Sequence, residues 1–453
     1  MNTPPTGQLL KSLIILSLLL SSLAACSPGH SGGNEIAFLR GGNLWTIDPD
    51  GSNIFEVVAD DTPVVGYGWS PNHHIFVFRT IDENFARTAA AKQVNSDPIT
   101  GLIGDLPTSL NTVGIDGGSP IPLILSSSDI LYSNAWWNSR GNRLLYREEL
   151  ASTTHNPATV LWHVSQNDQP AGIARKNLPD SFSIPSLASL DSMAIGNSEQ
   201  GVFTTTLAGS NLQYVIPGKL PGHPLFATLE RVLWQPAHLH PAILYAVAIS
   251  PAQTQSSSTK SILVQLVLRT MNGRITTLAT CACLQFAWSP DGNHILYSTG
   301  SSYIIMNLNG SPLLTISAEG GSVPYWSPDG QFILLDGLHT LTLVQVASRQ
   351  QQVLLSDTST PPRSATTSPG ESDVNALLQP VSNSLWAADS RHFLFLTRDR
   401  LRWHSRHLSS GRGLYVVSID GHGQPQGTPA SVDSGNDTQP GWTYEDPNTS
   451  FLY

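Results

Sequence analysis

Charge is scarce in this chain: of 453 residues only 12% are Asp, Glu, Lys or Arg, about half the share of an average soluble domain. Lysine is rarer still, five against eighteen arginines, and the balance is -10. A highly charged disordered chain is thereby excluded. So is a general nucleic-acid binder, which needs a basic face to neutralise phosphates. Cysteine occurs three times, as Cys26, Cys281 and Cys283. That is too few for a disulfide scaffold, and no spacing matches a four-ligand zinc site, so stability has to come from packing. The apolar run from Leu13 to Leu20 is too short to span a bilayer by itself.

That run has a different meaning. Residues 1–25 combine Lys11, the apolar stretch and small residues, the order of an export signal. Leu23-Ala24-Ala25-Cys26 resembles the lipobox of bacterial lipoproteins. The resemblance implies diacylation of Cys26, which becomes the mature N-terminus; an ordinary secretory signal with an incidental cysteine is the other reading. Each acyl methylene contributes about 0.8 kcal/mol of membrane affinity, so lipidation would hold the protein on a membrane surface of the cell envelope. Residues 26–34, rich in Gly, Ser and Pro, read as a lipid-anchored flexible tether, and residues 35–453 as the folded body.

The body repeats itself. Trp288-Ser289-Pro290-Asp291-Gly292 and Trp326-Ser327-Pro328-Asp329-Gly330 stand 38 residues apart, each leading into an apolar run. Degenerate copies begin at Trp69, Trp137, Trp234, Trp386 and Trp442, with a Trp-less one near Leu190-Asp191, giving eight. A second signal, a hairpin turn favouring positive φ, follows at Asp50-Gly51, Asp116-Gly117, Asn167-Asp168, Ala208-Gly209, Asn272-Gly273, Asn309-Gly310 and Asp420-Gly421, more weakly at Ser348-Arg349. Strands flank both signals, four to a unit. The pattern predicts an all-β chain: a single β-propeller of four-stranded antiparallel blades.

These units resemble the TolB-like, WD-repeat-related β-propellers of bacteria, with their W-S-P-D-G turn, I-A-F-like strand and L-W-x-x-D-x-D-G-S segment. Ile36-Ala37-Phe38 and the run Leu44-Trp45-Thr46-Ile47-Asp48-Pro49-Asp50-Gly51-Ser52 match that pattern. Departures fall in the fourth unit, which has no Trp, and in the fifth, where Leu239-His240-Pro241 replaces Asp-Gly. Because Ile36 enters without a preceding Trp turn and Trp442 ends without outer strands, the two termini should complete one blade and close the ring. Eight blades is the expectation. Seven is the alternative if Phe451-Leu452-Tyr453 competes with Ile36–Leu39 for one slot.

With strands lettered a to d from the channel outward, the insertions sort themselves. Residues 82–109, 149–158, 250–260 and 397–413 are b–c loops and 356–382 is a d–a loop, all on one face, which reads as a recognition face. Insertions that are merely tolerated are the competing reading, above all for the Ser, Thr and Pro-rich 358–370. Residues 85–93, with Ala and Lys, suggest a short helix.

Motifs with chemistry are few. Gly29-His30-Ser31-Gly32-Gly33 has the hydrolase G-x-S-x-G spacing but lies in the tether, not on a strand-to-helix turn. Cys281 and Cys283 are weak metal candidates: two thiols on one side of a strand could hold a soft metal or join in a local disulfide, while packing as small apolar residues is the plainer reading. His73-His74 and His238-Leu239-His240 occupy a–b turns, and Asp48, Asp50 and Asn53 imitate part of a calcium loop that a c–d turn explains. The tryptophans of the repeat read as packing between blades.

One basic cluster stands out in the acidic chain: Arg398, Arg400, Arg402, Trp403 and Arg406, in the 397–413 insertion. Arginine forks pair with carboxylates and phosphates, and an indole stacks on sugars, so a protein or an anionic glycan is the expected partner; a charged hairpin kept in solvent is the alternative. No catalytic constellation, cofactor site or metal site emerges. The expectation is a membrane-anchored extracytoplasmic binding scaffold. The alternative is an enzyme, a lyase or hydrolase, with its site in the central channel.

Overall fold

The computed structural model describes residues 34–444 except 60–61, 72–73, 82–106, 126–129, 139–140, 142, 151–158, 167–168, 176–185, 188–192, 199, 207–209, 218–226, 237–239, 250–262, 282–284, 319–321, 338–339, 358–377, 380–383, 398–400, 404–405, 408–412 and 434–436. The chain divides into Met1–Ser31 and Gly32–Tyr453. The described residues all belong to the second unit. Cys26, the tether motif at 29–33, the 85–93 segment and Phe451–Tyr453 lie outside them.

The described elements are 34 strands. They form seven four-stranded sheets and one of six, every pairing antiparallel. Most sheets run straight through the sequence, as in Phe286–Trp288, His294–Ser298, Ser302–Asn307 and Pro312–Ser317. Burial explains the sequence of each strand. Second strands such as Phe332–Asp336 and His294–Ser298 are apolar through their middle, because both faces are covered by neighbouring sheets, whereas Leu144–Leu150 carries Arg147, Glu148 and Glu149. Fourth strands such as Ile275–Cys281 and Pro312–Ser317 are largely exposed.

The repeat tryptophans end first strands, except Trp386, which makes an isolated bridge to Phe393, and they pack against the sheet before their own. Trp326 sits among Leu296 and Ile305 of the sixth sheet and Ile333 and Val344 of the seventh. Trp234 joins Ile195 and Val202 to Ile243, and Trp288 joins Leu244 and Leu266 to Ile295. The rings are 0–7% exposed, so the tryptophans bind sheet to sheet as the sequence suggested.

The residue after the tryptophan explains how the copies at Trp69, Trp137 and Trp234 keep the turn. Ser327 donates its backbone amide to Phe332 O and accepts the Phe332 amide on Oγ at 2.9 Å. Ser289 and Ser70 do the same for His294 and Ile75. Asn138 substitutes with Oδ1 on the Arg143 amide at 2.9 Å, and Gln235 with Oε1 on the Ala242 amide at 3.0 Å. A left-handed residue then closes the turn: Gly292 and Gly330 at φ 69°, and Ser390 at 59° where glycine is missing. Among the c–d turns, Gly51, Gly117, Gly273, Gly310 and Arg349 take positive φ as expected. The Asp420 turn is the exception. There the residue with positive φ is Gly423, not Gly421, because Asp420 opens the turn as Asp48 does: its amide donates to Gln424 O as that of Asp48 donates to Ser52 O, and the glycine stands three residues on in both.

The first sheet joins the two ends of the body. Strand Ile36–Arg40 lies between Asn43–Ile47 and Thr438–Trp442, pairing Ile36 with Trp442 and Ala37 with Gly441. Tyr67, from the second sheet, places its hydroxyl 2.7 Å from Ala37 O and 2.6 Å from Gln439 O, one carbonyl from each terminal strand. The slot in dispute is thus filled by Ile36–Arg40.

The seventh sheet departs from four strands. Its fourth strand, Gln350–Asp357, pairs with Leu401–Trp403, which pairs in turn with Arg406–His407. The insertion of the eighth sheet crosses to its neighbour and extends it to six strands, so that segment is a ribbon and not simply a loop.

Candidate functional site: the loop-bearing ends of the sheets

Strand order fixes where the insertions emerge. Residues 82–107 separate Ile75–Ile81 from Thr108–Gly114, 151–158 separate Leu144–Leu150 from Thr159–Gln166, 250–262 separate Ile243–Ile249 from Leu263–Arg269, and 398–412 separate His392–Thr397 from Gly413–Ser418. These are second-to-third connections; 358–377 links a fourth strand, Gln350–Asp357, to the first strand Leu378–Gln379 of the next sheet. In an antiparallel sheet both kinds leave from the same end. The boundaries differ slightly from those expected: Thr108, Ser109, Glu149, Leu150, Ser356 and Asp357 are already strand, and Leu378–Gln379 is a strand inside the 356–382 segment.

Beneath the first two insertions the second and third sheets enclose a polar group the sequence did not reveal. Arg79 is 3% exposed and burial brings its pKa down to about 10. Its Nη1 donates to Tyr132 O at 3.3 Å, and Thr108 Oγ1 donates to the same carbonyl at 3.4 Å. The guanidinium passes close under the first strand because residue 66 is glycine: a Cβ there would stand 2.9 Å from Arg79 Nη2. Beside it is a cavity of about 20 Å³ lined by Gly66, Gly68, Val77, Arg79, Leu110 and Ala135, room for about one water.

Across the third sheet, His163 Nε2 lies 2.8 Å from Glu148 Oε2. The imidazole stacks on Tyr146 at 5.1 Å and 6°, and Tyr146 meets Tyr132 edge-on at 6.3 Å. Burial, with Glu148 adding to it, pushes the Tyr132 phenol up to about 12; burial, then Tyr132 and Glu148, push Tyr146 up as well. Both phenols therefore remain proton donors at neutral pH. With Tyr146 at 0% and Tyr132 at 4% exposure, the group fills and fixes the space between two sheets. The sequence signal that could have found it is the alternation Tyr146, Glu148 on one face of Leu144–Leu150, a charge where this repeat otherwise buries apolar residues.

The residues singled out from sequence are scattered. Arg402, Trp403 and Arg406 are brought together in the ribbon: Arg402 is opposite His407 and Ser356, and Trp403 is opposite Arg406 and Leu355. Arg398 and Arg400 lie outside the described residues, as do His73, His238 and Cys283. Cys281, at the end of Ile275–Cys281, is disulfide-bonded to a partner outside them. Its sulfur is therefore neither a free packed thiol nor a thiolate ligand. His74 and His240 are exposed. Asp48 accepts from Asn53 Nδ2 at 2.7 Å, and Asp50 from the Ser52 amide at 2.9 Å, so these carboxylates are occupied in holding their own turn. Among the described residues no group of three or more His, Cys, Asp or Glu could hold a metal ion, and no helix is long and apolar enough to cross a membrane.

No family model and no curated protein matches the chain. Solved structures do. A eukaryotic initiation factor is 11% identical, with a TM-score of 0.51 over 92% of this chain and 100% of that one. An oligogalacturonate lyase in complex with manganese is 11% identical, with a TM-score of 0.40 over 84% of this chain and 83% of that one. A putative TolB from Agrobacterium tumefaciens is 12% identical, with a TM-score of 0.29 over 55% of this chain and 77% of that one. The first likeness concerns fold alone; the other two, at such scores, carry no argument about this chain. The fold is all-β, built from seven four-stranded antiparallel sheets and one of six.

Proposed function

We propose that the chain is a TolB-like propeller lipoprotein, anchored through Cys26 on the outer side of a cell membrane, that binds a protein or an anionic glycan with its loop-bearing face. Eight blades form the ring, and the first sheet, built from both ends of the body, closes it. The observation supporting a binding face is the placement of every long insertion at one end of the sheets, while the opposite connections are tight turns such as Ser327–Phe332 and Asn307–Ser311. Tight turns close hairpins, whereas long loops on a rigid scaffold are where recognition resides.

Photo-cross-linking in intact cells tests this. A photoreactive residue at Arg402 or at Ser109, on the loop-bearing side, is expected to give adducts, and one at Asn293 or Gln331, in the opposite turns, to give none. Adducts from the turn positions alone would overturn the assignment. Cys26→Ser is expected to release the protein from the membrane fraction; retention there would refute the lipid anchor.

A further inference from the structure

The two ends of the body are fastened where backbone pairing is thin. Ile36–Arg40 meets Thr438–Trp442 at three positions, Ile36 with Trp442, Ala37 with Gly441 and Leu39 with Thr438, and the register shifts between the last two. At that shift Gln439 takes a positive φ of 51°. Side chains hold what the ladder leaves loose. Arg40 reaches Asp437 Oδ1 from Nη2 at 2.8 Å and pairs with Asp433 through the same nitrogen. Asp433 ends Ala430–Asp433, the fourth strand of the eighth sheet, and Asp437 stands just before Thr438–Trp442, so one guanidinium ties together three segments.

Two carboxylates against one guanidinium leave a negative charge over. The Asp433 side chain is 14% exposed and that of Asp437 1%, so water screens little of it. Asp437 Oδ2 is buried, and among the described residues no group donates to it. We propose that a proton on Asp437 completes this junction, so that the two ends of the body are held tighter in mild acid and more loosely as the proton leaves.

An ionised Asp437 meets two penalties, a buried charged oxygen without a donor and the like charge of Asp433 on the same guanidinium. A proton brings the group to neutrality and leaves Asp433 as the anion paired with Arg40. Among the described residues, Arg40 and Asp433 are the charged groups that act on Asp437. Glu56, on Phe55–Val58, accepts from Asn43 Nδ2 at 2.6 Å; the Tyr67 hydroxyl donates to Ala37 O and Gln439 O; and Tyr415 lies opposite Ser431, not Asp433. Burial raises the Asp437 pKa, Arg40 opposes the rise and Asp433 adds to it. A carboxyl raised in the folded state favours that state below its unfolded value, about 3.9, and loses the contribution as pH climbs through the folded one. The loosening is therefore expected between about pH 4 and neutrality.

Hydrogen exchange of the full-length protein tests this, read by mass spectrometry on peptides covering Ile36–Arg40 and Thr438–Trp442 and corrected for the intrinsic effect of pH. Phe332–Asp336, in the seventh sheet, serves as the internal reference. From about pH 7 to about pH 4.5 the two terminal strands are expected to gain about threefold in protection over the reference. Asp437→Asn, neutral throughout, should show no such gain, while its reference strand stays protected. Asp433→Asn should move the gain to lower pH. No gain in the unmodified protein, as a buried water donating to Oδ2 would produce, overturns the proposal without recourse to any variant. An equal gain in Asp437→Asn overturns it too, because the proton would then be binding elsewhere.

Discussion

Arg40 donates from Nε to Oδ1 of Asp437 at 2.9 Å, joining residues 397 apart in sequence, and the same guanidinium pairs with Asp433. The Asp437 side chain is 1% exposed. Burial raises its pKa in spite of Arg40, and Arg40 itself is held above its ordinary value because its two carboxylate partners outweigh burial. Removing the cation would leave a buried carboxylate without compensation. Arg40→Met is expected to cost about 3 kcal/mol of stability, read as a lower urea midpoint. The double variant Arg40→Met/Asp437→Asn should recover a large part; no recovery would show that Arg40 matters through packing on Phe38 and Trp45, over whose rings it lies at 4.9 and 5.9 Å.

The side chains of Ser70, Asn138, Gln235, Ser289 and Ser327, each next after a tryptophan, are expected to matter for one reason, the amide they accept. Ser327→Ala and Gln235→Ala should each cost about 1–2 kcal/mol in urea denaturation. Ser327→Asn should cost clearly less, because Asn138 already performs this role in the third sheet. Equal losses for Ala and Asn at 327 would show that the hydroxyl serves something else.

Trp326 fills the space between the sixth and seventh sheets and is 3% exposed. Trp326→Ala is expected to lose about 4 kcal/mol, and Trp326→Phe roughly half of that. Thermal unfolding followed by tyrosine and tryptophan fluorescence would measure both.

Alkaline pH should loosen the fold within a defined window. Burial lifts Tyr132, helped by Glu148, and Tyr245 to about 12, whereas an unfolded chain ionises them near about 10. A phenol whose folded pKa is raised favours the folded state below the unfolded value and loses that contribution as pH climbs through the folded one. The melting temperature is therefore expected to hold up to about pH 10 and fall between about pH 10 and 12. Tyr132→Phe should flatten the fall. A phenolate absorbance that rises fully near pH 10 in the folded protein would contradict this.

Much of the fold could be read from sequence because its grammar is local. A Trp-Ser-Pro-Asp-Gly turn specifies its own hairpin within six residues, and where Ser327 becomes Gln235 the oxygen still reaches the same amide. Even the joining of the two ends was legible, since Ile36 and Trp442 each lacked half of a unit. What escaped was assembled from distant parts. Arg79, Tyr132, Glu148 and His163 come from two sheets and several strands, and no single stretch announces them. The ribbon was recognised as a basic insertion, but its pairing with Leu355–Asp357 depends on how near one sheet stands to the next. The shift from Gly421 to Gly423 came from register: Asp420 takes the place of Asp48 and not of Asp50, so the glycine that closes the turn stands three residues on.

The arrangement of the first sheet bears on how the molecule is made. Strand Ile36–Arg40 leaves the ribosome well before its neighbour Thr438–Trp442. During translation the early strand waits with one side bare, open to a wrong match. Anything that shields it in that interval, a chaperone or slow delivery across a membrane, would decide how much chain reaches its mature form.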